Sequence, residues 1–192
     1  QSAYGLTGAS SSAGGNQTVA VVVAFPHSQW AVQNDINTYR SAFGLPPCTS
    51  DNNCLQVVNL GQPCGLSLSC MQSEVQWGVE ARLDSEMVSA ACPNCRIMVV
   101  GAVDNGLTNL GAAVQYAASH GATVISNSYS VPETSAMSSY TQYWNTPGVP
   151  DVAGAGDNGY GPGFPATSQS VIAVGGTSLI NNNGSWQSKV WA

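Results

Sequence analysis

Glu80 and Asp84 form the first pair of side chains whose spacing could support chemistry. They are four residues apart in a segment predicted to be helical, residues 73–91. This spacing puts both on one helix face, with Cβ atoms about 5–6 Å apart. Two carboxyls this close tend to share a proton, so one could act as a base in acid while the other orients it. The competing interpretation is a solvated helix face that also carries Arg82 and Glu86.

Asp157 is a third candidate carboxyl. It lies in a turn that reads GDNG, residues 156–159, after a predicted strand of small residues. The glycines permit a tight turn and the close approach of a substrate backbone, with Asp157 projecting at the carboxyl end of the strand. The competing interpretation is that the Asp157 side chain only stabilises the turn.

Ser128, Tyr129 and Ser130 are candidates for substrate binding. They stand where a predicted strand over residues 122–128 ends. A strand that ends at an open edge can pair with an extended peptide through its main chain. Gly156, at the exit of the next predicted strand, would leave room for such a peptide.

A Ser-His-Asp triad has little support from Ser178 and the two histidines. The segment that contains Ser178 reads GGTS, but residues 179–181 continue a strand into a turn, whereas a nucleophilic serine in such a motif would open a helix. Neither His27 nor His120 lies in a His-Gly-Thr segment. His120 is expected to end a helix, where its charge meets the helix dipole, and His27 is expected in a loop.

The elements that must position these residues alternate between strands and helices. A continuous apolar run over residues 18–25 predicts a strand buried on both faces. Further strands are predicted at 96–102, 122–128, 150–156 and 170–176, and helices at 29–43, 73–91, 107–120 and 135–145. This order predicts an α/β fold with a mostly parallel sheet and one domain over residues 1–192, in which residues 1–17 are a flexible lead-in. Ligands of such folds bind beyond the carboxyl ends of the strands, so chemistry is expected at the strand exits, residues 24–28, 101–105, 128–131 and 156–160.

The charge composition excludes several functions and favours an acidic environment. The chain of 192 residues has only 4 basic and 10 acidic side chains and a formal net charge of -6. Four basic groups cannot form a phosphate-binding face or a polybasic membrane patch, so we expect neither nucleic-acid nor membrane partners. At low pH the chain would not become strongly cationic, which indicates tolerance of acid.

The six cysteines indicate an oxidising compartment. They fall into three close pairs, which are Cys48 and Cys54, Cys64 and Cys70, and Cys92 and Cys95. Local disulfide loops are the favoured interpretation, although six cysteines allow 15 pairings. The alternative is zinc binding by the Cys92–Cys95 motif, but no second motif follows at zinc spacing. We therefore expect a secreted, extracellular protein.

Taken together, these stretches resemble the sedolisins, the serine-carboxyl peptidases with a subtilisin-like fold. The resemblance runs along nearly the whole chain and rests on six segments in the family's order. They read YRSAFGLP (39–46), EARLD (80–84), VISNSY (124–129), GDNG (156–159), FPATS (164–168) and AVGGTSL (173–179). The resemblance implies a subtilisin-like three-layer fold that is incomplete in this chain, which corresponds to the N-terminal portion of a single peptidase domain.

The resemblance also implies roles for the candidate residues. Glu80 matches the family's general base, Asp84 the carboxyl that orients it, and Asp157 the carboxyl that helps to form the oxyanion hole. An Asp carboxyl can donate a hydrogen bond to an oxyanion only when it is protonated. The role that the resemblance gives to Asp157 therefore implies activity in acid. Residues 128–130 match the strand that binds the substrate backbone.

Two functional parts of the family are expected outside this chain. These are the nucleophilic serine, in a Gly-Thr-Ser segment that opens a later helix, and the calcium site, so no metal ligand is assigned here. The first-strand exit, residues 24–27, lacks the acidic residue often found in the family, and Tyr129 stands where many members have Trp.

The sequence therefore predicts an acid-active serine-type endopeptidase that is complete only with a second chain from the same precursor, after a break at Ala192. The alternative is a catalytically inactive fragment or pseudoenzyme that binds extended peptides. A glycoside hydrolase that uses Glu80 and Asp84 alone is disfavoured, because both carboxyls come from one helix rather than from opposite sides of a cleft.

Overall fold

Apolar runs of the sequence form a six-stranded parallel sheet at the centre of the molecule. The computed structural model describes residues 1–191. The sheet strands are β1 (Thr18–Ala24), β2 (Leu55–Asn59), β3 (Arg96–Ala102), β4 (Val124–Asn127), β5 (Asp151–Gly154) and β6 (Val171–Val174). They pair in the order β2-β3-β1-β4-β5-β6, and all neighbours are parallel. Strands β7 (Thr177–Asn182) and β8 (Ser185–Val190) form a separate antiparallel hairpin.

Helices cover both faces of the sheet. They are α1 (Thr7–Ser12), α2 (Gln29–Ala42), α3 (Leu68–Ala91) and α4 (Leu107–Ser119), with 3-10 helices at Ser2–Tyr4, Ser135–Ser139 and Thr141–Trp144. Alternate residues of a strand point to opposite faces. Val21 and Val23 pack under α2 and α3, whereas Val22 and Ala24 pack under α4. This two-sided burial explains the continuous apolar run of β1 and confirms the predicted α/β fold.

One half of the sheet is covered on one face only. Val21, Ser126, Val152 and Ile172 are aligned across β1, β4, β5 and β6 and share the face on which α3 lies. Val21 is fully buried under the helices, but Ile172 is 55% exposed. Within residues 1–191, the helical layer on this face therefore stops short of β6.

The N-terminal segment differs from the expected flexible lead-in over residues 1–17. It contains α1, and the buried Ser10 donates a hydrogen bond to the carbonyl of Ala91 at 2.7 Å. Gln1 donates in the same way to the carbonyl of Ala90 at 2.7 Å. These bonds use carbonyls that the end of α3 leaves unpaired, so the segment is anchored there.

Three element predictions need correction. The predicted helix over residues 135–145 is two 3-10 helices, because hydroxyls such as those of Ser138 and Ser139 bond back to carbonyls three residues earlier. Strand β2, which the sequence analysis missed, is a short edge strand among the cysteine loops. Helix α3 begins at Leu68, five residues before the predicted start.

The cysteines pair locally, which confirms the predicted disulfide loops. Cys48 bonds Cys54, Cys64 bonds Cys70, and Cys92 bonds Cys95. The first bridge closes the loop before β2, the second the loop before α3, and the third the turn between α3 and β3. Ala192, where a break is predicted, lies outside the described residues.

Candidate functional site

Helix α3 places Glu80 and Asp84 at the border between the core and the solvent. The face of α3 that packs on the sheet is a row of buried small residues, Ala81, Ser85 and Ser89. Small side chains at the contact let the helix approach β1 closely. Each carboxyl precedes a member of this row by one residue, so both are only half-buried. This face of α3 is therefore only partly solvated at Glu80 and Asp84.

Asp84 is joined to the end of β4. The hydroxyl of Ser128 donates a hydrogen bond to Oδ1 of Asp84 at 2.8 Å. Oδ2 of Asp84 is buried and has no hydrogen-bond partner among the described residues. A buried carboxylate without full hydrogen bonding is costly, so this environment favours the protonated form.

The two carboxyls titrate as a coupled pair. Burial raises the pKa of Asp84 to about 7, and the charge of Glu80 and a hydrogen bond to Glu80 add to this, against the effect of Ser128. Burial also raises the pKa of Glu80, whereas its hydrogen bond with Asp84 lowers it. Because Asp84 is the more deeply buried of the two and lies beside the charge of Glu80, its surroundings favour the protonated form. Glu80 is then the stronger candidate for a base.

Asp157 lies across from this pair, in the exposed turn that follows β5. Gly156 makes the turn possible, because its φ of 100° is a conformation that residues with a Cβ rarely adopt. The charge of Asp157 is close enough to raise the pKa of Glu80. The structure therefore brings all three candidate carboxyls to the carboxyl ends of β4 and β5.

The segments after β4 and β5 lie side by side. A Cβ on Gly156 would lie 3.1 Å from Oγ of Ser130, so the two segments approach closely at this point. Val131 pairs with Phe164 in an antiparallel bridge that joins the segments further along. Ser128 and Ser130 are exposed, whereas the ring of Tyr129 is half-buried and packs against Trp77 of α3.

A buried polar network beside the site escaped the sequence analysis. Asp151, only 1% exposed, accepts a hydrogen bond from Nδ2 of Asn127 at 2.5 Å. Oδ1 of Asn127 accepts from the hydroxyl of Tyr129 at 2.5 Å. An acidic residue inside a predicted buried strand was the available signal, because buried carboxyls occur in cores only with a specific partner.

Ser178 and the histidines are not part of this cluster. Ser178 lies in β7, which confirms that its segment continues a strand. His120 ends α4, where Nδ1 is 2.8 Å from the carbonyl oxygen of Tyr116. His27 is buried at the exit of β1, with Nε2 3.0 Å from the carbonyl oxygen of Ala24, and its burial lowers its pKa.

Among residues 1–191, no three or more His, Cys, Asp or Glu side chains are grouped so that they could hold a metal ion. In the same part of the chain, no helix combines the length and apolar character needed to cross a membrane. The calcium expected outside this chain remains a prediction.

The parallel sheet between helices makes this an α/β protein. Its three candidate carboxyls lie near the carboxyl ends of the strands, where folds of this class bind ligands. Residues 74–189 match the subtilase family of peptidases. The match covers more than half of the chain and includes all three carboxyls, and the chain belongs to this family. No curated protein sequence is significantly similar to the chain.

Solved structures share the fold. Fervidolysin from Fervidobacterium pennivorans, a keratinolytic enzyme related to subtilisin, is 19% identical, with a TM-score of 0.54 over 97% of this chain and 28% of its own. The PatG macrocyclase domain is 17% identical, with a TM-score of 0.50 over 84% of this chain and 57% of its own. The subtilisin-like fold is thereby confirmed. The chain spans less than two thirds of either structure.

Proposed function

We propose that this chain is part of an acid-active serine-carboxyl peptidase of the sedolisin type. It supplies the general base Glu80, the orienting carboxyl Asp84 and the oxyanion carboxyl Asp157. The nucleophilic serine comes from a segment outside this chain. The observation that carries the proposal is the convergence of these carboxyls, from α3 and from the turn after β5, beside the exit of β4.

The coupled pair supports acid–base catalysis. Ionised Glu80 accepts the proton of the serine hydroxyl as the serine oxygen attacks the scissile carbonyl carbon. Protonated Asp84 donates a hydrogen bond to Glu80, while Ser128 holds Asp84 at 2.8 Å. When the tetrahedral intermediate collapses, Glu80 returns the proton to the leaving amine. The same cycle, with water in place of serine, releases the acyl group.

We assign oxyanion stabilisation to Asp157. It lies in the exposed turn after β5, near enough for its charge to raise the pKa of Glu80. In its protonated form it donates a hydrogen bond to the developing oxyanion, which a carboxylate could not do. A chain with only 4 basic residues does not become strongly cationic at low pH, which accords with activity in acid.

The exposed segment after β4 suits an extended peptide substrate. Ser128 and Ser130 are exposed there, and Gly156, which packs against Ser130, has no side chain to block the approach of a peptide main chain. Main-chain pairing with residues 128–130 would align the scissile bond beside Glu80. We therefore propose a protein or peptide substrate.

The open half of the sheet supports a partner segment. Ile172 and Val174, 55% and 49% exposed, share the face of the sheet on which α3 lies. Apolar side chains arranged side by side on a sheet face favour burial against another element. We propose that the serine-bearing segment, from the same precursor, packs there beside α3. Calcium would bind in that segment, and the three disulfides support secretion.

The test uses the protein that contains this chain together with the serine-bearing segment. Glu80→Gln and Asp84→Asn keep the side-chain shape but remove the base and the orienting acid. We expect each to lower kcat for peptide hydrolysis at acid pH by about 100- to 10,000-fold. Glu86→Gln is the matched control, because Glu86 lies on the same helix but faces Asp35 and Arg82. Unchanged hydrolysis in pure, folded Glu80→Gln protein would end the assignment.

A further inference from the structure

We propose that the buried carboxyl of Asp151 is a positioning residue, which acts through Asn127 and Tyr129 to hold the exit of β4 and thereby the Ser128 hydroxyl that donates to Asp84. This inference rests on the proposed function. Asp151 is only 1% exposed and cannot touch a substrate, so its effect on the reaction would be indirect.

The amide of Asn127 is used completely in this network. Its Nδ2 donates to Oδ1 of Asp151 at 2.5 Å and to the carbonyl oxygen of Val152 at 3.1 Å. Its Oδ1 accepts from the hydroxyl of Tyr129 at 2.5 Å. Both amide protons and the carbonyl therefore have partners, so the side chain is fixed in one orientation. A residue that lacks either the donor or the acceptor would break the chain of bonds.

The network fixes the two residues that flank Ser128 in the sequence. Asn127 precedes it and is tied to β5, and Tyr129 follows it and is tied back to Asn127. The ring of Tyr129 also contacts Trp77 of α3, with ring centroids 5.9 Å apart. Trp77 is one helical turn before Glu80, so the same network links β5, the exit of β4 and the helix that carries the candidate base. The backbone of Ser128 therefore has little freedom to move away from Asp84.

The cost of burying Asp151 argues that the carboxyl has a role beyond packing. It lies in the core, and its Oδ2 has no hydrogen-bond partner within residues 1–191. An apolar side chain of similar volume would avoid this unpaired oxygen. An apolar side chain could not, however, accept the hydrogen bond from Asn127. The Asp151 acceptor is needed to orient the amide, and the amide is needed to hold Tyr129.

The experiment compares Asp151→Ala with Asp151→Asn in the protein that contains the serine-bearing segment. Asn keeps an oxygen that can accept from Asn127, whereas Ala has none. Enzyme concentration is fixed by active-site titration. We expect Asp151→Ala to lower kcat by about 10- to 100-fold with little change in KM, because displacing a catalytic group by about 1 Å can reduce the rate by this factor. Asp151→Asn should restore most of the loss. Asp51→Asn, at an exposed carboxyl, is the matched control.

A second measurement does not depend on activity. The hydrogen bond from Ser128 lowers the pKa of Asp84, so its loss should raise the midpoint of the Asp84 titration followed by carboxyl-carbon NMR. We expect this rise in Asp151→Ala but not in Asp151→Asn. Tyr129→Phe, which removes only one hydroxyl, should produce the same rise if Asp151→Ala does not fold. An unchanged Asp84 midpoint and kcat in folded Asp151→Ala or Tyr129→Phe would overturn the proposal.

The two proposals fail in different ways. If the wild-type protein does not cleave peptides but the Asp84 midpoint still responds to Asp151→Ala, the proposed function is wrong and the positioning role stands. If the wild-type protein cleaves peptides and Asp151→Ala changes neither kcat nor the Asp84 midpoint, only the positioning role is wrong.

Discussion

The hydroxyl of Ser128 donates a hydrogen bond to Oδ1 of Asp84 at 2.8 Å, across 44 residues of sequence. This bond joins the exit of β4, where a peptide substrate would pair, to the middle of α3, where the candidate base lies. Asp84 and the segment after β4 are therefore parts of one hydrogen-bonded unit. The predictions below follow from this arrangement.

Ser128→Ala should raise the pKa of Asp84 above about 7. The hydroxyl stabilises the ionised carboxyl, and burial and the charge of Glu80 act in the opposite direction. The same hydroxyl lowers the pKa of Glu80. We therefore expect the acid limb of kcat/KM to move to higher pH. Carboxyl-carbon NMR and pH–rate profiles measure the two effects. Ser130→Ala, which removes an exposed hydroxyl nearby, serves as the control, and an equal shift in that variant would contradict the account.

Asp157→Ala and Asp157→Asn should differ in activity. If Asp157 acts as a hydrogen-bond donor to the oxyanion, Ala removes the donor and should lower kcat by about 100- to 1,000-fold. Asn keeps an N–H donor at nearly the same position, so its loss should be much smaller. Steady-state kinetics on one peptide substrate measure this difference. Equal losses in the two variants would show that donation to the oxyanion is not the role of Asp157.

Gly156→Ala should impair substrate binding beyond its effect on stability. Its φ of 100° strains any residue with a Cβ, and the added Cβ would lie 3.1 Å from Ser130 Oγ. Gly148→Ala is a matched control, because Gly148 has a φ of 85° but no atom within 4 Å of the added Cβ. Each variant should lose about 1–2 kcal/mol of unfolding free energy. Only Gly156→Ala should raise KM, by roughly tenfold or more. A similar KM in both variants would argue against substrate binding beside Gly156.

Stability should fall as the pH rises from about 4 to 7. Burial raises the pKa of Asp84 and of Asp151 from 3.8 to about 7 in the folded protein. Between these values the folded state binds more protons than the unfolded state, so their contribution is complete below pH 3.8 and is lost as the pH rises through about 7.

Asp151→Asn tests this assignment, because it removes one of the two titrating groups. Thermal unfolding followed by circular dichroism at pH 4 and pH 7 should show a smaller fall in Tm for the variant. The expected difference is at least about 2–4 °C, which corresponds to roughly 1 kcal/mol. A wild-type Tm that rises from pH 4 to pH 7 would contradict the predicted fall in stability.

The fold was predictable where the sequence carries strong periodicity. The apolar runs of β1 and β3 are buried on both faces, and their bounds agree closely with the prediction. β2 was missed because a short edge strand buries too little to leave a long apolar run. The helix predicted over residues 135–145 failed because serine hydroxyls there compete for backbone carbonyls.

The candidate site was only partly accessible from sequence. The spacing of Glu80 and Asp84 places them on one helix face, but the partner of Asp84 comes from a different strand. Asp151 of β5 is a second example, because its partner Asn127 lies in β4 and Tyr129 lies in the segment after β4. No local pattern encodes these contacts, because they depend on strand order and register. The roles of Glu80, Asp84 and Asp157 remain predictions until they are tested by mutation.

Labelling with a serine-reactive phosphonate tests the central claim most directly. The protein that contains this chain and the serine-bearing segment is treated at acid pH, and the modified residue is located by peptide mass spectrometry. We expect one labelled serine outside residues 1–192, and labelling that is lost in Glu80→Gln but retained in Glu86→Gln. Labelling of a serine within this chain, or no labelling of the wild-type protein, would contradict the account and favour a module that only binds peptides.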